Sequence, residues 1–223
     1  MDWTPTLAWD APAGQILKTL FAALPQESHF HITLFGSSPL QLGVDSGFLS
    51  GDVDLFADET RELLEQALAA TGLSEKSRTL YIQLCNESNF RSSPRWVRRA
   101  FTTQVGNVTL TLPHPLDILI AKLHRLADKD LAAFRLVIER TGHPTEDELR
   151  RELQFAVDLY RPNFDEEMIG DITTNTRVLW QELWGKEINV RAEIIAPALA
   201  ARRDGYDFPK MDYKAELRRL GAE

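Results

Sequence analysis

Cysteine occurs once in this 223-residue chain, at Cys85, so the chain has the means for neither a disulfide framework nor a thiolate metal cluster. No run approaches 18 apolar residues in length, which excludes a helical membrane span. The opening stretch, MDWTPTLAWDAPAGQILKTL, carries acids and proline where a secretory signal needs a basic start and an apolar centre, so a cytoplasmic location is expected. Net positive charge is missing too. With 33 acidic against 25 basic side chains the formal charge is -8, which opposes generic attraction to nucleic acid or anionic lipid and leaves only a local grip for any polyanion. Repeats and low-complexity tracts are absent. What is present is apolar material: at 43% hydrophobic and 26% charged, the chain has enough for one substantial core, or one core with a helical appendage.

Two hydrophobic periods alternate in the first half. Residues 12–24 place Ile16, Leu17, Leu20, Phe21 and Leu24 at helical spacing, closed by Pro25. His29 to Phe35 alternates as a strand, with Phe30, Ile32 and Leu34 on one face. A loop rich in Gly and Ser follows from Gly36 to Gly51, then a short strand over 51–57, a helix over 59–71 and a strand over 80–84. Residues 96–104 and 108–112 read as a hairpin turning at Gly106-Asn107. From Pro115 onward the period is helical almost throughout. Helices are expected over 115–126 and 130–140, after a capping box of Thr145 and Glu148, and near 164–184, 189–203 and 212–220. These spans predict an α+β chain: a mixed sheet flanked by helices over 1–143, followed by a helical domain over 144–223.

The residue pattern with the most chemistry lies between the first two strands. Gly36, having no Cβ, lets backbone N–H groups approach a phosphate closely, and Ser37 and Ser38 offer hydroxyls. On the next strand Asp52 and Asp54 are two residues apart, so they project from one face with Cα atoms roughly 6.5–7 Å apart. Two such carboxylates beside a phosphate cradle suit a hard divalent cation, Mg²⁺ or Mn²⁺, whose remaining ligands come from substrate phosphates. Further on, Lys122, Arg125 and Lys129 follow Ile118 at helical intervals and share one stripe if the helix persists that far.

This pattern resembles the nucleotidyltransferase superfamily, whose signature is a Gly-Ser pair followed by Asp-hydrophobic-Asp on the next strand. Pro115, Asp117, Ile120, Ala121, Lys122 and Leu123, then Lys129-Asp130, are similar to a stretch of AbiEii-type toxin nucleotidyltransferases and related DUF6036-type bacterial families. The likeness covers residues 16–140. It implies a nucleotidyltransferase-like sheet and a nucleoside triphosphate bound with Mg²⁺. Asp52 and Asp54 would be metal ligands and catalytic acids, Gly36, Ser37 and Ser38 would hold phosphates, and Lys122 would contact phosphate beside Arg125, Lys129 and Asp130. The nucleotidyl group would pass to a hydroxyl on a protein, RNA or small molecule. Against the family pattern, neither Leu80-Tyr81-Ile82-Gln83-Leu84 nor Val108-Thr109-Leu110-Thr111-Leu112 supplies a third carboxylate, and Glu87 is the nearest substitute in sequence. Ala133 also stands where the toxin pattern often has Asp. The alternative is therefore a degenerate member of the fold that binds a nucleotide or a partner within a toxin–antitoxin pair.

Other features carry competing readings. Arg91, Arg95, Arg98 and Arg99 enclose Trp96, combining charge with a stacking ring in a way that admits an RNA end, although a charged hairpin edge is the favoured reading. Asp130 has a structural alternative as a helix N-cap. Trp180 and Trp184 are one helical turn apart and read as core or as a protein interface, while Arg202-Arg203 and Arg218-Arg219 read as helix-end cations. His29 and His31 share a strand face without the third ligand zinc wants. His114, His124 and His143 are scattered, with no nucleophile arranged around them, so no hydrolytic triad is expected.

Overall fold

The computed structural model describes residues 3–57, 60–161 and 171–203. The expected helix near 212–220 and Arg218-Arg219 lie outside these residues, as do the side chains of Glu87 and Arg203. The chain is α+β, and it divides into two compact units: residues 3–90 with 97–118, and residues 91–96 with 119–203. The division drawn from sequence at 143 lies inside the second unit. Among the described residues no helix is long and apolar enough to cross a membrane.

The first unit is built on a five-stranded mixed sheet of order β3-β2-β1-β5-β4. Its strands are β1 (Phe30–Leu34), β2 (Asp52–Phe56), β3 (Tyr81–Leu84), β4 (Phe101–Val105) and β5 (Val108–Leu112). β1 runs antiparallel to β2 and parallel to β5; β2 and β3 are parallel, joined through a helix as a parallel pair requires. Alternation along the strands sends Phe30, Ile32, Leu34, Val53, Leu55, Ile82, Val108, Leu110 and Leu112 into one core. Helices α1 (Pro12–Ala23) and α3 (Arg61–Thr71) supply the matching apolar stripes, through Leu17 and Leu20 on one and Leu64 and Leu68 on the other. Each such side chain, fully buried, contributes about 1.5–3 kcal/mol. The opposite face of the sheet carries Asp52, Asp54 and Phe56 on β2, Tyr81 and Gln83 on β3, and Thr109 and Thr111 on β5. The expected hairpin is present: Val105 pairs with Val108, and Gly106 takes a positive φ of 60° at the first turn position.

Two expectations in this unit need correction. The stretch from Gly36 to Gly51 is not loop throughout, because α2 (Ser38–Gly43) buries Leu40 and Leu42 within it. Residues 96–99 are a 3₁₀ turn rather than the start of β4, so the arginine cluster is not a hairpin edge.

Helix α4 (Pro115–Lys122) begins where the Nδ1 of buried His114 accepts from Leu116 N–H at 3.1 Å. The division between the units falls within it. In the second unit, α5 (Asp128–Thr141), α6 (Glu146–Phe155), α7 (Ile172–Trp184) and α8 (Ala196–Arg203) bury Phe134, Val137, Leu149, Leu153, Leu179 and Trp180. The capping box forms as the sequence implies: Glu148 N–H donates to Thr145 Oγ1 at 3.3 Å and Thr145 N–H to Glu148 Oε2 at 2.8 Å. Trp180 is fully buried and its indole N–H donates to Glu146. It therefore packs inside this unit and offers no surface to a protein partner.

Candidate functional site

At the C-terminal end of β1 the backbone turns sharply. Phe35 N–H still donates to Asp54 O at 2.8 Å, keeping the two strands in step, and Gly36 then adopts φ 62°, a left-handed conformation that favours glycine. A Cβ at Gly36 would lie 2.3 Å from Asp54 Oδ2 and 3.2 Å from its Cγ. Only a hydrogen at this position lets the carboxylate pack over the backbone. The neighbouring Ser37 caps α2 by position, and its carbonyl accepts from Leu40 and Gln41 N–H. Ser38 is fully buried and donates its hydroxyl to Phe35 O, so its side chain serves the turn itself.

Asp52 and Asp54 share the polar face of β2 and are both half-buried, while Val53 and Leu55 between and beyond them enter the core. Ser50 donates to Asp52 O at 2.7 Å and lies 3.5 Å from its Oδ1. The thiol of Cys85 approaches Asp54 Oδ1 at 3.5 Å. Burial pushes that thiol up to about 12, and the charge and hydrogen bond of Asp54 push in the same direction. One oxygen of Asp54 thus faces the glycine floor and the other faces the thiol. In the parallel register, Tyr81 lies beside Asp52 and Gln83 beside Asp54; neither is a carboxylate.

Does this donor set fit a divalent cation? It consists of carboxylate oxygens on one strand face, against backbone with no side chain in the way, and Mg²⁺ accepts one or two protein carboxylates with phosphates and waters completing its shell. The residues fit. Among the described residues no group of three or more His, Cys, Asp or Glu comes together for a metal ion.

The downstream motif folds differently from its expected stripe. α4 stops at Lys122, Leu126 takes a positive φ of 46°, and a new helix starts at Asp128. Lys122, Arg125 and Lys129 are therefore not on one helix. Instead, fully buried Asp130 collects the first two locally: Lys122 Nζ is 3.1 Å from Oδ1, and Arg125 donates through Nη2 and Nε at 2.8 Å each. Its Oδ2 also accepts Ala127 N–H at 3.0 Å, which places Asp130 at the third position of α5 rather than at the N-cap. Burial by itself would raise the Asp130 carboxyl, but hydrogen bonds from Arg125 and Lys122 hold it below the ordinary range. Burial draws the Lys122 ammonium below its usual value against the pull of Asp130. Lys129 is exposed and Ala133 fully buried in the α5 core. Asn175 donates to the carbonyls of Leu123 and His124, closing the end of α4. Asp117 of the same motif is likewise buried, gripped by Arg99 through two bonds at 2.6 and 3.0 Å. Neither Asp117 nor Asp130 was distinguishable from a catalytic acid by sequence; the nearby arginines were the available signal.

The arginine cluster is divided between the units, Arg91 and Arg95 in one and Arg98 and Arg99 in the other. Arg95 lies over the Phe155 ring at 4.1 Å and near buried Glu152, to which Ser93 donates a hydrogen bond. Trp96 is only 8% exposed. It is not presented as the stacking ring an RNA end would use. Histidines have structural employment: His29 meets Thr109 at 2.8 Å and stands edge-on to His31, and His143 contacts Glu148. Compared with protein-family models, with curated proteins and with solved structures, the chain matches none.

Proposed function

We propose that the first unit is a nucleotidyltransferase-like site that binds a nucleoside triphosphate with Mg²⁺ and transfers its nucleotidyl group to a hydroxyl on a protein, RNA or small molecule. The observation that carries this reading is the contact between Gly36 and Asp54, with Asp52 on the same strand face. Asp52 and Asp54 would hold the cation, and the Gly36-Ser37 turn would receive phosphate oxygens. The bound Mg²⁺ would neutralise charge on the triphosphate. The acceptor oxygen attacks the α-phosphorus, the bond to the bridging α–β oxygen breaks, and pyrophosphate leaves with that electron pair while the hydroxyl proton is released to solvent. Lys122 and Arg125 are not required in this reading, because their charge is engaged by Asp130.

A second reading, nucleotide or partner binding without turnover in the manner of a toxin–antitoxin component, is favoured by one feature. Tyr81 and Gln83 flank the acids where a third carboxylate on β3 would stand. Incubation with α-phosphate-labelled nucleotides, Mg²⁺ and cell extract separates the two. Transfer of label to protein or RNA that disappears in both Asp52→Asn and Asp54→Asn is the expected result. Mg²⁺-dependent binding lost in those variants, without any transfer in the wild type, selects the binding module. Binding by calorimetry that is unchanged in both variants removes both readings.

A further inference from the structure

Three aromatic rings form a stacked set that includes Phe56, two residues after Asp54 on β2. Phe35 and Phe90 are stacked with centroids 4.6 Å apart and planes at 8°, and Phe35 and Phe56 are 6.4 Å apart at 21°. Phe35 is thus the shared member of a nearly parallel set, within the spacing at which aromatic rings attract one another. It is buried, whereas Phe56 is half-buried. The position of Phe56 is informative: alternation on β2 sends Val53 and Leu55 to the core and puts Phe56 in the outward row after Asp52 and Asp54. It follows Asp54 by two residues, roughly 6.5–7 Å along the strand. A large apolar ring there is not demanded by the core on the other face. A half-buried ring continuing the line of two carboxylates puts an aromatic surface in the same outward row as the acids.

We propose that Phe56 is the stacking surface for the base of the bound nucleotide, with Phe35 and Phe90 keeping its ring upright. This rests on the nucleotide reading above. The ligand it implies is a nucleoside triphosphate recognised by the π-face of its base rather than by a hydrogen-bonding pattern. Stacking is tolerant of base identity, so all four nucleotides bind, purines more tightly because they present more ring area.

The test compares Mg²⁺·ATP, Mg²⁺·CTP and Mg²⁺·tripolyphosphate by titration calorimetry on the full chain, in wild type, Phe56→Leu and Phe56→Tyr. Loss of the ring in Phe56→Leu should weaken both nucleotides roughly 5- to 150-fold and leave tripolyphosphate unchanged, while Phe56→Tyr retains nucleotide affinity. Nucleotide affinity unchanged in Phe56→Leu overturns the assignment while the phosphate site stands. Equal loss of nucleotide and tripolyphosphate, with a lowered melting temperature, makes Phe56 a packing residue and also overturns it. Equal affinity of wild type for tripolyphosphate and nucleotide does the same, since the base then contributes nothing. Failure of wild type to bind tripolyphosphate with Mg²⁺ removes the underlying nucleotide reading instead.

Discussion

Asp130 lies fully buried between Lys122 and Arg125, whereas Asp54, half-buried on a sheet face, has a glycine under one carboxylate oxygen and a thiol beside the other. Both belong to short motifs that look chemical in the sequence. Their surroundings assign them different work. A carboxylate whose oxygens are met by two cations and a backbone amide is electrically satisfied within the fold, and it holds a chain reversal in place. A half-buried carboxylate that shares its strand face with a second acid, over backbone kept bare by glycine, is the kind of oxygen donor that the proposed cation site would use. Residue type alone does not separate these two acids; burial and the groups packed against each carboxylate do.

Removing the Asp130 charge is the most severe way to probe this contrast. Asp130→Asn leaves buried Lys122 without its counter-charge and should lower stability by about 3–5 kcal/mol in chemical denaturation, with Mg²⁺·nucleotide affinity unchanged. Because the Asp130 carboxyl is held below its ordinary range, its contribution is complete at neutral pH. That contribution is lost as pH falls through the depressed folded value. Wild type and Asp130→Asn should therefore converge in stability under strongly acidic conditions. A stability gap that persists unchanged there contradicts the assigned role.

The next effect in size comes from two glycines with nearly the same backbone. Gly36 and Gly106 have φ of 62° and 60°, but a Cβ would strike Asp54 at the first and meet nothing within 4 Å at the second. Alanine at either position bears the left-handed cost of about 1–2 kcal/mol. Gly36→Ala should lose more than Gly106→Ala in denaturation midpoint, and it alone should lose Mg²⁺·nucleotide affinity. Equal behaviour of the two variants would mean that the bare backbone under Asp54 has no role in binding.

The smallest expected effect sharpens the view of Asp54. With its thiol pushed up to about 12, Cys85 should be nearly inert to iodoacetamide at neutral pH, since the thiolate is the reactive form. Asp54→Asn removes part of the upward push and should speed alkylation several-fold, still below the rate of a free cysteine because burial remains. An unchanged rate would show that Asp54 exerts no electrostatic hold on the thiol.

Much of the architecture was legible in the chain. Alternation marked β1, β2, β3 and the hairpin, helical spacing marked α1 and α3, and Thr145 with Glu148 announced the start of α6. The short α2 was missed because six residues give too few turns for a period to show, although Ser37 and Pro39 were start signals. The end of α4 was missed for another reason. Leu126 takes a left-handed conformation without being glycine, and what stabilises the reversal is Asp130 and Asn175, which reach in from α5 and α7. The 3₁₀ turn at Trp96–Arg99 was read as strand because its apolar and charged residues also suit a strand of edge type.

Local pattern by itself determined β1, β2, β3, α1 and α3, where the hairpin turns, and that Asp52 and Asp54 leave their strand on the same side, because each of these depends on neighbours a few residues away. Only the tertiary structure decided that Gly36 lies beneath Asp54, that Gln83 and Tyr81 stand beside the acids, and that Asp130 binds Lys122 and Arg125 in a buried cluster. Those outcomes depend on strand register and chain reversal, which bring together groups whose charges act on one another only at a few ångströms.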